Sequence, residues 1–436
     1  MIRRSIAAIA APIVVLLTLS PEAGATPYPL EQFAMDLDDA LPSFMERYDV
    51  PGAAAAVVFA GSVLSTTSDG LPAGKDVFKV ASLTKTATAL AILRLVEAGR
   101  IDLDRPVNDY LTRWNVRSKR FDVRGVTARR LLGHTAGLPF GYSGEDPPDT
   151  YPKLEDILDG KTRVPEANPE IEPGTKFKYS NAGYGVVELL LEEVTDMGYT
   201  EAMRDLVFEP LEMKNTGFQD DERLMERLVP GFLKAGTPKA QSVNLPRAAG
   251  GMLSTADDIG RLLNGVTYSS EDGGLLTEAS LIEMRELEGP SKGAFGLSDG
   301  GYGLGIARSP LPSGRMFIAN QGSHDDYQAL MLSVPEAHTG WVVLTNSGTG
   351  IGVQLELALE FFDDVIGEQP AIAGVFMKFR ARMIFGILSL TVIAAAWLIR
   401  VASDVRAGRR RWLTGVRARV VLLRTLPLAM LRSASS

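Results

Sequence analysis

The sequence predicts an α/β fold, and three features carry that prediction. Ala53 to Ala60 and Val63 to Thr67, two short apolar or β-branched runs on either side of Gly61, predict an antiparallel hairpin. Near the other end, Met316 to Asn320, Ala329 to Val334 and Trp341 to Asn346 predict three consecutive strands. Between these groups, residues from about 100 to 250 are mixed. Helical periodicity at Gly185 to Met197 and Glu201 to Leu211 alternates there with long turn-rich connections such as Tyr142 to Lys153.

The remaining elements follow in chain order. Glu31 to Tyr48 repeats its apolar residues at helical spacing and precedes the hairpin. The apolar stretch from Ser82 to Ala98 predicts a helix stopped by Gly99 at the position after its C-cap, and Asp102 to Tyr110 begins a new segment. Thr255 with Asp258 predicts a capping box at the start of a helix over Asp257 to Leu263, with Gly250-Gly251 placed to line a cleft. Val353 to Val365 closes the body as a helix, which bounds a domain over residues 26–366. A linker follows over residues 367–382, most evident at Gly367 to Gly374.

The two ends read as targeting and membrane segments. Residues 1–25 carry Arg3 and Arg4, then apolar Ile6 to Leu19, then Ala23-Gly24-Ala25, the layout of a secretory signal cleaved after Ala25. Met383 to Ile399 contains no charged residue and, at 17 residues, would rise about 25 Å as a helix, the short end of what spans a bilayer. Nine arginines follow from Arg400 to Arg432 against one acid, Asp404, which predicts a cytoplasmic tail over residues 400–436 and an extracytoplasmic body. Val420 to Leu431, interrupted by Arg424 and Pro427, is expected along the membrane surface.

Charge and composition exclude several classes of function. The chain carries a net −8; with +1 on residues 1–25 and +11 on residues 378–436, residues 26–377 carry −20. A body so acidic repels nucleic acid and anionic headgroups, so no nucleic-acid partner is expected. Cysteine is absent and the three histidines are scattered, which excludes disulfides and gives no support to a zinc hydrolase. Gly348-Thr349-Gly350-Ile351-Gly352 fits neither the dinucleotide nor the P-loop glycine spacing, and Gly141-Tyr142-Ser143-Gly144 lacks the spacing of a nucleophile elbow.

The chemistry-bearing pattern is Ser82-Leu83-Thr84-Lys85 at the head of a helix. Positions three apart share a helix face, so Ser82 as nucleophile would have Lys85 behind it as a partly desolvated base. The plain alternative makes Ser82 an N-cap. Tyr179-Ser180-Asn181 follows the turn Pro173-Gly174-Thr175, and Asn320-Gln321-Gly322-Ser323 precedes an apolar run. Tyr179 would pass a proton between nucleophile and leaving group, a step made easier if a neighbouring cation favours loss of its own proton. Asn181 has the donor and acceptor needed to orient Lys85 and hold a substrate carbonyl.

This order of motifs resembles the serine β-lactamase and penicillin-binding-protein superfamily, closest to class C β-lactamases and their esterase and D-alanyl-D-alanine carboxypeptidase relatives. Similar phrases run through Val50-Pro51-Gly52, Phe78 to Lys85, Leu131 to Leu138, Pro173 to Gly185, Phe208 to Phe218, Ala248 to Asp258 and Trp341 to Ser347, covering roughly residues 30 to 365. The resemblance implies one antiparallel sheet shared by the two ends of the domain and flanked by helices, with a mainly helical lobe inserted over about 100–250. It also implies catalytic Ser82, Lys85 and Tyr179, an oxyanion hole from the N–H groups of Ser82 and Ser323, Gly322 as the close-approach glycine, and no metal or organic cofactor.

The third motif departs from the family, which has Lys-Thr-Gly or His-x-Gly where this chain has Asn320-Gln321-Gly322. Loss of a cation there leaves acyl chemistry intact and bears on which substrates bind. His324, four residues on, is a substitute for it or a solvated turn beside Asp325 and Asp326; His134 matches a packing position and His338 lies in a turn. The expectation is a membrane-anchored extracytoplasmic serine hydrolase that cleaves a small or peptide ester, amide or β-lactam, cell-wall peptides included, through an acyl-serine. Its rival is a catalytically retired penicillin-binding-like module that binds or scaffolds at the cell envelope.

Overall fold

The computed structural model describes residues 30–141, 151–240, 242–288 and 300–407, with backbone alone for 372–388. The expected signal at 1–25, its cleavage point, most of the Tyr142–Lys153 connection and the tail beyond 407, with its surface segment at 420–431, lie outside the described residues. Two compact units result, one ending at Ala371 and the other beginning at Ile372.

The first unit is built on a twisted antiparallel sheet. Helix α1 (Leu30–Tyr48) leads into the hairpin β1 (Ala53–Phe59) and β2 (Ser62–Asp69), followed by helix α2 (Leu83–Glu97). Helices α3 (Asn181–Thr195) and α4 (Ala256–Thr267) belong to the middle of the chain. Strands β3 (Gly301–Tyr302), β4 (Ala307–Pro310), β5 (Met316–Ser323), β6 (Gln328–Val334) and β7 (Thr339–Thr345) complete the sheet before helix α5 (Ile351–Glu360). Among the described residues the strand order is β2-β1-β7-β6-β5-β4-β3. Strand β1 pairs with β7 from Ala53 opposite Thr345 to Phe59 opposite Thr339, so the two ends of the domain share one sheet.

The period-2 alternation of the strands produces two apolar layers. Ala54, Ala56 and Val58 of β1, with Val342 and Leu344 of β7, face α2, α4 and the helical lobe. Ala53, Ala55 and Val57, with Trp341 and Val343, face α1 and α5 across Phe33, Leu41, Val353 and Leu357. Both faces of the central strands are thus covered, which explains why β1 and β7 read as continuous apolar runs. The outer strand β2 is mostly serine and threonine and alternates exposed with half-buried positions, as a half-solvated edge requires.

The glycine-rich turn after β7 is a packing device. A Cβ at Gly350 would stand 1.8 Å from Thr345 Oγ1, and one at Gly352 would stand 2.1 Å from the Tyr48 ring, so these glycines let α5 settle against the sheet and α1. Strands β3 and β4 have no counterpart in the sequence pattern, because segments of two and four residues are too short to show alternation. The periodicity at Glu201 to Leu211 becomes a helix over Tyr199–Met203 that widens into a looser turn over Arg204–Phe208.

The second unit is dominated by one helix, α6 (Ala371–Arg406). Of the expected linker over 367–382, the chain is helical from Ala371 onward, and the few residues from Gly367, itself at φ 75°, precede that helix. Among the described residues no helix is long and apolar enough to cross a membrane. The segment 383–399 lies within α6, and Leu390, Val392, Ile393, Trp397, Leu398 and Ile399 are exposed.

Trp341 is 1% exposed, lies between Val57 and Leu332 on neighbouring strands, and meets the Phe361 ring edge-on at 6.3 Å. Trp341→Ala should lower stability by about 3–5 kcal/mol in denaturant titrations, whereas Trp341→Phe, which keeps the aromatic volume, should cost far less.

Candidate active site

The nucleophile's position is set by backbone constraints upstream. Phe78 and Lys79 pair antiparallel with Leu253 and Ser254, and the Val80 N–H donates to Met252 O at 3.2 Å. The chain then reverses through Ala81, whose φ of 45° is left-handed, and enters α2 at Ser82 with helical φ −65° and ψ −6°. An alanine held there stores strain of about 1–3 kcal/mol, maintained by the packed surroundings. The Ser82 side chain makes no capping bond, which removes the plain N-cap alternative. Helix α2 is buried nearly all round, so its polar side chains must be satisfied internally. Thr84 donates to Ala81 O at 2.6 Å and Thr86 to Gly305 O at 2.7 Å.

Three side chains converge on the hydroxyl. Lys85 Nζ lies 3.1 Å from Ser82 Oγ and also donates to Ala249 O, while the Tyr179 O–H donates to Ser82 Oγ at 2.9 Å. The amine sits over the Tyr179 ring at 4.9 Å and the Tyr184 ring at 5.4 Å. Tyr179 is brought there by the start of α3, where Ser180 caps the helix by accepting the Gly183 N–H at 2.8 Å. His134, against the Tyr179 ring at 4.2 Å, accepts the Ser180 N–H at Nδ1 at 3.1 Å. It is fully packed and fixes the backbone beside Tyr179.

Burial sets the protonation of this group. Lys85 is 0% exposed, and desolvation holds its pKa well below 10.5, so the free amine is the favoured form. Desolvation, and then the charge that Lys85 would carry, push the His134 pKa well below 6.5, so His134 stays neutral. Tyr179 moves the other way. Burial raises its pKa well above 10, against a smaller lowering by its bond to Ser82. The expectation that a neighbouring cation eases loss of the Tyr179 proton is therefore corrected, because burial disfavours the phenolate more than its surroundings stabilise it and the phenol keeps its proton.

Two asparagines have different destinations from those expected. The Asn181 side-chain N–H donates to Gly141 O at 2.8 Å, so it holds the wall of the cleft and does not orient Lys85. Asn320, 7% exposed, donates to Thr86 Oγ1 at 2.6 Å and to Ser82 O at 3.2 Å. It fastens strand β5 to the first turn of α2 and occupies the place of a substrate-facing cation with a structural clasp.

Gly322 has a direct steric reason. A Cβ there would lie 2.1 Å from Val80 O and 3.3 Å from Ser82 N, so only glycine lets β5 press against the nucleophile's backbone. The His324 N–H donates to Tyr327 O across the β5–β6 ladder, so the alternation of antiparallel bonding points the Ser323 N–H to the opposite edge. Strand β4 pairs only as far as Ala319, which leaves that edge open at Ser323. With the N–H of Ser82, this is the donor arrangement of an oxyanion hole.

His324 is neither a solvated turn nor a free substitute for the missing cation. Its ring is bound to the Asp326 carboxylate, and the two side chains are 7% and 2% exposed. His338 sits at φ 51° in a turn and stacks on Tyr268 at 5.9 Å. Among the described residues no cluster of three or more histidine or acidic side chains could hold a metal. Sequence reasoning missed the carbonyl of Ala249 as Lys85's second partner. Gly250-Gly251 beside it marks the turn in the sequence, but nothing in the residue types points to that carbonyl.

A buried lysine and a tyrosine on one serine hydroxyl, beside a glycine-bearing strand, form the arrangement that serine acyl transfer requires. A family model described as Beta-lactamase matches residues 37–359, and the chain belongs to that family of serine hydrolases. It is 28% identical over 351 residues to penicillin-binding protein 4 of Amycolatopsis lactamdurans, covering 74% of this chain and 90% of that one. It is 27% identical to protein flp of Staphylococcus aureus over 46% of this chain, but spans only 42% of that relative's length. The D-amino acid amidase of Ochrobactrum anthropi SV3, complexed with L-phenylalanine, shares the fold with a TM-score of 0.61 and 24% identity, over 77% of this chain and 98% of that one.

Gly322→Ala should leave the domain folded by circular dichroism but slow acylation of Ser82 by a fluorophosphonate at least 100-fold, because strand β5 must shift away from Val80 and a displacement of about 1 Å costs that much.

Proposed function

We propose that this protein is a membrane-anchored, extracytoplasmic serine hydrolase that cleaves neutral esters or amides of D-amino acids and short D-peptides through an acyl-serine. The observation that carries the reading is the desolvated Lys85 amine placed 3.1 Å from Ser82 Oγ. A retired binding module would have no use for an uncharged buried amine, which is costly to bury.

Lys85 takes the Ser82 proton as Oγ attacks the carbonyl carbon. The N–H groups of Ser82 and Ser323 hold the oxygen as it becomes anionic. Tyr179, still a phenol, donates its proton to the leaving nitrogen or oxygen, and the Lys85 ammonium, 4.9 Å from the Tyr179 ring, returns a proton to the resulting phenolate. Water then attacks the acyl-enzyme, and the same two groups run in reverse to free Ser82.

The preference for neutral substrates is supported by the pairing of the basic side chains around Ser323. Lys239 pairs with Asp325 at 2.9 Å, His324 pairs with Asp326, and the Lys79 ammonium donates to Ser242 O at 2.9 Å. Each already has a partner, so a substrate carboxylate would have to displace one. The relatives' names, penicillin-binding protein and D-amino acid amidase, support a D-configured acyl group. Anchoring is supported by the uncharged stretch 383–399, its exposed apolar side chains and the arginines beyond it.

Ser82→Ala should abolish labelling by a fluorophosphonate while the fold persists; labelling at the wild-type rate would remove the mechanism. Comparison of kcat/KM for a D-aminoacyl amide and a penicillin should favour the amide. Membrane fractionation should find the full chain in the pellet and a chain ending at residue 370 in the supernatant.

Lys85→Met should reduce acylation by about 10²- to 10⁴-fold and at the same time raise the melting temperature at neutral pH. The sign follows from linkage: the folded-state pKa of Lys85 is depressed, so the folded protein binds fewer protons than the unfolded chain. Wild-type stability should therefore gain from this group as pH rises toward 10.5, and the gain should be missing in Lys85→Met.

A further inference from the structure

A carboxyl group that plays no direct part in the chemistry lies behind the lysine. Glu188, on α3, is 1% exposed and accepts the Ala248 N–H at 2.8 Å and the Arg247 N–H. Those residues open the four-residue turn Arg247–Gly250, whose polar groups are held by side chains from three elements. Glu188 takes the Ala248 N–H, Thr88 of α2 lies 3.5 Å from Ala248 O, Lys85 donates to Ala249 O, and Asn244 donates to Gly250 O at 2.5 Å. The Ala249 carbonyl is Lys85's anchor on the side away from Ser82. Anything that moves this turn moves the amine.

We infer that Glu188 is a positioning residue for the base: its carboxyl clamps the Arg247–Gly250 turn, fixes Lys85 against Ser82 through Ala249, and makes acylation sensitive to mild alkali. The inference rests on the hydrolase reading and adds its regulation.

The groups facing Glu188 come from each element packed around it. Arg247 belongs to the turn, Glu192 to its own helix, Tyr199 to the next helix and Tyr151 to the segment covering them, while Lys85 of α2 reaches the turn from its other side through Ala249 O. Desolvation dominates, raising the Glu188 pKa to about 8 against the lowering by its two N–H bonds and Arg247. A cavity of 620 Å³ lined by Tyr151, Glu192, Arg247 and Arg113 reaches Glu188 and gives its proton a path to water. At neutral pH the carboxyl is uncharged and the amine beyond the turn stays free. Once the carboxyl ionises, a buried negative charge stands behind the turn and draws Arg247 and the turn's N–H groups toward it; the turn shifts, and the Ala249 carbonyl carries the amine out of line with Ser82.

The test uses the full chain with a chromogenic D-aminoacyl ester and, in parallel, NMR titration of the side-chain nitrogen of Lys85. The wild-type acylation profile should fall with a midpoint near 8. Glu188→Leu, which removes the acceptor, should lose about 10- to 100-fold at every pH in kcat with little change in KM. Glu188→Gln, which keeps an acceptor but cannot ionise, should recover most of that loss and abolish the alkaline fall. An alkaline fall unchanged in Glu188→Gln, or wild-type rates in Glu188→Leu, would overturn the inference. If Glu188→Leu does not fold, the comparison of wild type with Glu188→Gln decides alone. If the wild type acylates with no probe, the hydrolase reading fails, and the Lys85 titration still decides: the same curve in wild type and Glu188→Gln overturns the positioning role.

Discussion

The exclusion of water from the Lys85 amine is the constraint on which the rest of the site depends. A lysine in the interior keeps a charge only at high cost, so the surroundings of α2 push its pKa well below 10.5 and favour the free amine that can act as a base. That requires a helix buried on every side, which in turn requires the sheet beneath it, the lobe beside it and the turn at Arg247–Gly250 beyond it. The two tyrosine rings against Nζ and the carbonyl of Ala249 supply the contacts that water would otherwise make. The same desolvation keeps Tyr179 protonated and His134 neutral, so one physical cause assigns the resting proton inventory of three residues.

Much of this was legible before any coordinates, and the limits follow from the nature of the signals. The hairpin at 53–67 and the strands near 316–346 are visible because long apolar alternation is a local property. Ser82 and Lys85 are a local pair, whose meeting needs only the pitch of a helix. Asn181 and Asn320 were located, but the destinations of their amides were not. Their acceptors, Gly141 O and Thr86 Oγ1, come from elsewhere in the chain, and a residue type alone does not say whether it faces substrate or scaffold.

Other features had no sequence signal at all. Ala81 at φ 45° looks like any alanine, because its strain is imposed by the pairing of Phe78-Lys79 with Leu253-Ser254. Glu188 sits in an apolar stretch of α3 and reads as one polar face of an amphipathic helix; only the approach of the Ala248 N–H reveals it as a buried clamp. Gly350 and Gly352 have an ordinary steric purpose once Thr345 and Tyr48 are in place.

The pairing of β1 with β7 has a consequence for how the molecule comes into being. Ala53 and Thr345 are neighbours in the sheet yet are separated by almost the whole domain in sequence. A growing chain that has not yet released residue 345 leaves β1 without its inner partner, and β5, which carries Gly322 and Ser323, has not long emerged. Loop closure over such a span is slow, and the intermediate exposes an unpaired apolar strand. Ser82 and Lys85 are therefore synthesised early but lack the backbone of Ser323 beside them until the last strands arrive, so the site is assembled late in folding.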